Sequence, residues 1–372
     1  MAPPPGRILT VNAGSSSLKL RVLDADDEVV GSRESGSAQS EKELRAELEA
    51  ILAEGPVDAA GHRIVHGGPD FTSPTLIDPA VEDELERLGD LAPLHNPPAV
   101  AAIRALEALA PGLPTIACFD TAFHSTMPAA ASTYAVPAAW RERWPLRRYG
   151  FHGLSHAYAS RRAAELLRRP LAELRIVTAH LGAGASLCAV AGGRSVDTTM
   201  GFTPLEGLVM ATRSGSVDPG LLLWVQRHGG IDAEEMEQAL DRESGLLALS
   251  GRSGDMREIV AGIEAGDERC RLAFDTYIHR LAAAVAAMAA AMGGIDVLVF
   301  TGGVGENSAQ VRAATCAAIG FLGVEIDGRE NGADRRDRVI SSPKSTVAVM
   351  VLSAREDIEL AAQVRARLAA GL

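Results

Sequence analysis

The chain has 372 residues, a formal net charge of −12, 47% hydrophobic and 23% charged residues. That length exceeds one typical core and predicts two domains, and the composition is that of a soluble globular protein. The acidic balance argues against a nucleic-acid surface, which needs clustered Lys and Arg, but leaves room for a nucleotide at a locally basic site.

Residues 7–24 predict two strands, from the apolar and β-branched alternation of Ile8, Thr10, Leu18, Leu20 and Val22. Between them Asn12-Ala13-Gly14-Ser15-Ser16-Ser17 forms a small polar turn, and Lys19 follows. Two readings stay open: an ordinary hairpin turn, or a cradle whose N–H groups, hydroxyls and lysine hold a phosphate. Ser40 and Glu43 have the spacing of a capping box, and Leu44, Leu48, Ile51 and Leu52 make a helical stripe behind it. Residues 61–68, GHRIVHGG, predict a strand ending in glycines with Arg63 and Val65 on one face. Arg63 there suits either a structural ion pair or an anion clamp. Asn96 before Pro97-Pro98 predicts the N-cap of a helix running to about Ala110. Residues 115–119 read as a buried strand with Asp120 at its carboxyl end, where α/β folds place chemistry. Capping the next turn is the plainer role for that aspartate.

His152 and His156 stand four apart, but Gly153 interrupts them and no third ligand is near. A zinc pair is therefore disfavoured, and His152, on a glycine-flanked loop, is the functional candidate. Residues 175–190 repeat the opening hairpin: Ile176, Thr178, His180 and Gly182 fall where Ile8, Thr10, Asn12 and Gly14 fall. Such a repeat predicts a duplicated domain with a cleft between the halves. Residues 200–220 form a long irregular segment carrying Pro204 and Arg213, of a kind that is commonly functional. The apolar run 281–295 is shorter than the roughly 20 residues a membrane helix needs, so it predicts a buried helix. Residues 296–300 predict a buried strand leading through Thr301-Gly302-Gly303-Val304-Gly305-Glu306-Asn307 into a helix from Ser308. Strand, glycine turn and helix suit a nucleotide phosphate or ribose, although the spacing is neither a Walker A loop nor a dinucleotide fingerprint. Four cysteines without a CxxC predict buried free thiols in a reducing cytosol, and the start MAPPPGR carries no apolar signal core.

Taken in order, nine segments resemble the acetate kinase family. They are NAGSSSLK at 12–19, GHRIVHGG at 61–68, LHNP at 94–97, FDTAFH at 119–124, RRYGFHGLSH at 147–156, HLGAGAS at 180–186, MGFTPLEGLVMATRSGSVDPG at 200–220, SGDMRE at 253–258 and FTGGVGENS at 300–308. The resemblance implies an α/β fold of duplicated actin-like (ribonuclease H-like) domains with a nucleotide cleft between them. It places an N-terminal domain at 1–149, joined by a helix at about 356–372, and a C-terminal domain with the nucleotide site at 150–355. The activity implied is reversible transfer of the ATP phosphoryl group to acetate, with Mg²⁺ (Mn²⁺ substituting), in a cytoplasmic homodimer that binds neither nucleic acid nor membrane.

Residue by residue, the resemblance gives Asp120, His152 and Arg213 catalytic roles, with His152 stabilising the transition state. Arg63 and Arg213 bind the carboxylate and the transferring phosphoryl group, and Val65, Leu94, Phe151 and Pro204 line the acyl pocket. Lys19 lies near the phosphates. His180, Leu181, Gly182, Ala183 and Gly184, with Asp255, Met256 and Arg257 and with Gly303, Val304, Gly305, Glu306 and Asn307, form the ATP loops. Asn12 and Glu356 hold Mg²⁺. The chain departs from the family pattern at Ala183, Ala211, Ser216 and Ala354-Arg355. Acetate is already ionised at neutral pH, so Asp120 is expected to hold a Mg²⁺-bound water or orient an arginine rather than act as a base. The rival readings are a propionate or butyrate kinase and an actin-like ATP-binding switch without acyl transfer.

Overall fold

The structure, a computed structural model, describes residues 6–14, 17–36, 40–92, 95–335 and 337–371. The chain forms two compact units. One contains the described residues up to Ser125, Phe151–Tyr158 and the chain from Arg355; the other contains Thr126–Gly150 and Ala159–Ala354.

The first unit is built on strands β1 (Ile8–Ala13), β2 (Ser17–Leu23), β3 (Val29–Gly36), β4 (Ala59–Ile64), β5 (Thr75–Leu76) and β6 (Thr115–Phe119). Their order is β3-β2-β1-β4-β6-β5, with β1, β4 and β6 parallel and the other pairings antiparallel. Alternation sends Leu9, Val11, Leu18, Leu20 and Val22 to one face, against Leu44, Leu48 and Ile51 of the helix Glu41–Leu52 and Leu106 of Asn96–Leu109. The opposite face carries Ile8, Leu23, Ile116 and Cys118 against Leu360, Ala361 and Val364 of the helix Glu356–Ala369. Each fully buried aliphatic side chain here contributes about 1.5–3 kcal/mol. Gly61 permits that helix to approach, since a Cβ there would stand 2.6 Å from Val364 Cγ2.

The second unit is built on β7 (Arg175–Leu181), β8 (Ala185–Ala191), β9 (Arg194–Thr198), β10 (Val297–Thr301), β11 (Arg338–Val339) and β12 (Ala348–Val351), ordered β11-β12-β10-β7-β8-β9. Counted from the β9 edge this is the third, second, first, fourth, sixth and fifth strand, the same order as in the first unit. The directions agree as well: β7, β10 and β12 are parallel, and the rest are antiparallel. The duplication seen in the hairpins therefore covers both whole sheets. β10 is fully buried, as its unbroken apolar run predicts.

The apolar run 281–295 lies mostly in the helix Glu268–Ala291, capped at its start by Asp267. Among the described residues no helix is long and apolar enough to cross a membrane. All four cysteines are free and buried. Ser40 caps its helix by accepting from Glu43 N–H at 3.2 Å.

Three local expectations change. Asn96 does not cap the helix it begins: its side chain accepts from His66 N–H and donates to His66 C=O, stapling that helix to the loop after β4. β4 ends at Ile64, so Val65 lies just past the strand. The glycine turn after β10 is itself a short helix, Gly302–Asn307, and Ser308 caps the next one, Ala309–Ala318.

Burial pushes the His62 imidazole down to about 3 and that of His124 to about 4. Among the described residues neither ring nitrogen of His62 finds a hydrogen-bond partner. In the unfolded chain these groups take a proton near pH 6.5. Their contribution is thus complete above about pH 6.5 and is lost as pH falls toward 4 and 3, at about 1.4 kcal/mol per pH unit for each group. Urea midpoints measured from about pH 7 down to about pH 4.5 should fall, and His62→Leu should make that fall shallower. A slope unchanged in the variant would remove His62 from the account.

Candidate active site

β4 ends by aiming Arg63 along the carboxyl edge of the first sheet, beside the end of β6, where Asp120 follows. Their register pairs Ile64 with Phe119, so the two side chains meet as neighbours. Arg63 donates from Nε to both Asp120 oxygens at 3.2 and 3.1 Å and from Nη2 to Oδ2 at 2.6 Å. Its remaining nitrogen, Nη1, lies 3.4 Å from Asn12 Oδ1 and 3.6 Å from Glu356 Oε2. Burial pushes the Asp120 carboxyl up, against the opposing pull of Arg63. For Arg63, burial lowers and the charges of Asp120 and Glu356 raise, with a net rise. The bonds from Nε and Nη2 to the Asp120 oxygens favour the ionised form of the pair over a neutral Asp120.

His152 has φ +57° and donates its backbone N–H to the Asp120 carboxylate. The next residue, Gly153, donates to Asp120 C=O at 3.0 Å, and a Cβ on it would fall 2.0 Å from that oxygen. Phe151 is buried, edge-on to His66, and its C=O contacts His124 Nε2 at 3.0 Å. Among the described residues no cluster of three His, Cys, Asp or Glu is arranged to hold a metal. The oxygens of Asn12 and Glu356 nevertheless turn to one nitrogen of Arg63. Two hard oxygen donors of this kind fit Mg²⁺, which takes only one or two protein ligands beside substrate phosphates. Glu356 opens its helix next to Asp357, which is gripped by Arg355 (2.9 and 3.1 Å) and Arg21 (3.0 Å). Lys19 on β2 pairs with Glu34 on β3 at 3.3 Å. Leu94 lies outside the described residues.

In the second unit Arg213 forms an ion pair with Asp241, Nε to Oδ1 at 2.8 Å. Pro204 is half-buried in a segment held by Glu206, which accepts from Tyr134 (2.5 Å) and Arg148 (2.6 Å). A cavity of about 720 Å³ is walled by Gly182 and Ala183 after β7, by Asp255, Met256 and Arg257, and by Gly303, Val304 and Asn307. That volume matches a small-molecule site of nucleotide size. Asp255 caps the helix Met256–Glu264 and holds Arg257 in a bidentate pair, leaving the exposed guanidinium at the cavity rim. Ala183 C=O accepts from Ala211 N–H at 3.1 Å, so two of the departures from the family pattern touch each other at the wall. His180 and Leu181 end β7, and Gly184 closes its turn by accepting from Gly182 N–H. Glu306 Oε1 accepts from Gly302 and Ala354 N–H at 3.1 and 2.9 Å. Gly305 is buried.

Sequence reasoning missed two supports. Buried Arg312 donates to the carbonyls of Gly305 and Glu306 and to Asn331, fixing the short helix that walls the cavity. Asp241 is the other. The turn-and-cap chemistry around both is ordinary, and no spacing signals partners that lie far along the chain.

A twice-repeated α/β sheet of this order, carrying a glycine-walled cavity in one copy and a braced arginine among oxygen donors in the other, defines an actin-like phosphotransferase of the kinase class. The chain belongs to the acetokinase family, whose model matches residues 42–362. It is 47% identical to the acetate kinase of Leifsonia xyli subsp. xyli over 98% of this chain and 99% of that one. The crystal structure of Porphyromonas gingivalis acetate kinase superposes with a TM-score of 0.90 at 39% identity, covering 98% of this chain and all of that one. A propionate kinase from Francisella tularensis subsp. tularensis superposes at 0.89 with 35% identity, over 96% and 98% of the two chains.

Proposed function

We propose that this protein transfers the terminal phosphoryl group of ATP to acetate, reversibly and directly in line, giving acetyl phosphate and ADP. The observation that carries this reading is Arg63: a buried guanidinium held rigid by Asp120, with one nitrogen left facing the oxygens of Asn12 and Glu356. The chemical difficulty is an ionised carboxylate approaching a triphosphate. Fixed cations cancel that repulsion and align the attack, which is most of what phosphoryl transfer asks of a protein. Arg63 binds the acetate carboxylate, Arg213 the moving phosphoryl group, and His152 donates to the oxygens on which charge gathers. Asp120 orients Arg63; with its oxygens engaged and acetate already ionised, no base is required. Asn12 and Glu356 would hold Mg²⁺, which would neutralise phosphate charge when bound.

We assign acyl binding to Val65, Leu94, Phe151 and Pro204, and nucleotide binding to the loops that wall the second unit's cavity. One methylene in an apolar pocket is worth about 1–3 kcal/mol, so propionate should be a slower substrate. The similar propionate kinase supports measuring both acids side by side. The free buried thiols support a cytoplasmic setting. A homodimer is supported by the helix Pro219–Gly229, which exposes Leu221, Leu223 and Trp224.

Trapping with hydroxylamine tests the reaction. Acetohydroxamate should form only when ATP, Mg²⁺ and acetate are present together. ATP binding or hydrolysis indifferent to acetate would instead favour the actin-like switch.

A further inference from the structure

We propose that Asp241 is the positioning residue for Arg213, acting on the reaction through that guanidinium alone. This rests on the reading of Arg213 as the phosphoryl-binding cation. Asp241 Oδ1 lies 2.8 Å from Arg213 Nε, an ion pair at the stem side of the guanidinium. A carboxylate at that position biases the direction in which the planar fork is presented.

The backbone around the pair is stitched just as closely. Ser214 N–H donates to Leu240 C=O at 3.0 Å, Ser244 N–H donates to Thr212 C=O at 2.9 Å, and Thr212 Oγ1 donates to Asp241 C=O at 2.9 Å. Gly245, at φ +64°, lies so close to this loop that a Cβ would stand 2.3 Å from Met210 C=O and 2.7 Å from Arg213 C=O. The irregular segment bearing Arg213 is thereby anchored to the end of the helix Ala233–Arg242, and Asp241 pairs with the guanidinium itself. A side chain held by backbone alone would keep its place but not its direction; the carboxylate supplies the direction.

The test is a double-mutant cycle on the full enzyme with acetate, ATP and Mg²⁺, using Asp241→Asn, Asp241→Ala and Arg213→Ala. Misplacing one reacting group costs about tenfold to a hundredfold, so Asp241→Asn should lower kcat by that factor while KM for ATP moves less than about twofold. In the Arg213→Ala background the same change should cost nothing further. If Asp241→Ala fails to fold, the near-isosteric Asn variant still gives the reading. Full kcat in Asp241→Asn, beside a disabled Arg213→Ala, would overturn the proposal and leave Arg213 in its role. An equal loss in both backgrounds would show Asp241 acting independently and would also overturn it. Near-normal turnover in Arg213→Ala would remove Arg213 from the chemistry, and this proposal with it.

Discussion

Arg63→Ala is expected to lower kcat by at least about a hundredfold, the usual result of removing one preorganised donor from a transition state. It should also destabilise the first unit, because Asp120 is 1% exposed and would lose its counter-charge. Breaking a buried pair on one side costs about 3–5 kcal/mol. The two losses can be separated. Arg63→Ala combined with Asp120→Asn removes the stranded charge, so its unfolding midpoint should recover while its turnover does not. Arg63→Lys should keep a charge yet stay well below wild-type rates, since an ammonium cannot grip Asp120 with two parallel bonds and still face Asn12 and Glu356. Hydroxamate formation and thermal unfolding, measured on the same samples, decide the matter. Folded Arg63→Ala with near-normal turnover would end its role.

Gly153→Ala should be nearly as damaging, although it removes no functional group. A methyl there would fall 2.0 Å from Asp120 C=O and 2.9 Å from Phe123 Cβ. The carbonyl cannot yield freely: Asp120 N–H is bonded to Ile64 C=O at 2.9 Å, and Gly153 N–H is itself donated to the threatened oxygen. The start of the helix must then back away, carrying His152 with it. Overpacking costs about 1–3 kcal/mol and occasionally more, and an ångström of displacement at the site about a hundredfold in rate. The expected signature is a lowered melting temperature together with a fall in kcat that exceeds any change in KM for ATP. A variant with wild-type kcat would show that His152 and Asp120 tolerate the shift.

Several of these features are visible in the bare sequence, and the reasons are physical. The paired hairpins announce themselves because a strand half-buried on one face must alternate, and because each ends in a run of small residues. The remainder of the repeat is silent: β5 and β11 are two residues long, too short to carry a period. Glycine misleads in residues 302–307, where its scarcity in helices predicts a turn although the chain coils. Asn96 misleads through its position, since a residue before two prolines looks like a cap until His66 claims its side chain. Arg63 and Asp120 could be picked out one by one, as residues at strand ends. Their mutual grip could not, because it depends on β4 and β6 lying side by side, a fact of topology. The same holds for Arg213 with Asp241 and for Arg312 with Asn331.

The helix Glu356–Ala369 has a consequence for how the molecule comes into being. Ile8, Ala59, Ile116 and Cys118 find their cover in Leu360, Ala361 and Val364, residues synthesised only after the entire second unit. On the ribosome, one side of the earliest sheet must therefore wait, greasy and unshielded, while most of the message is translated. The earliest-made lobe is therefore the last to complete its core.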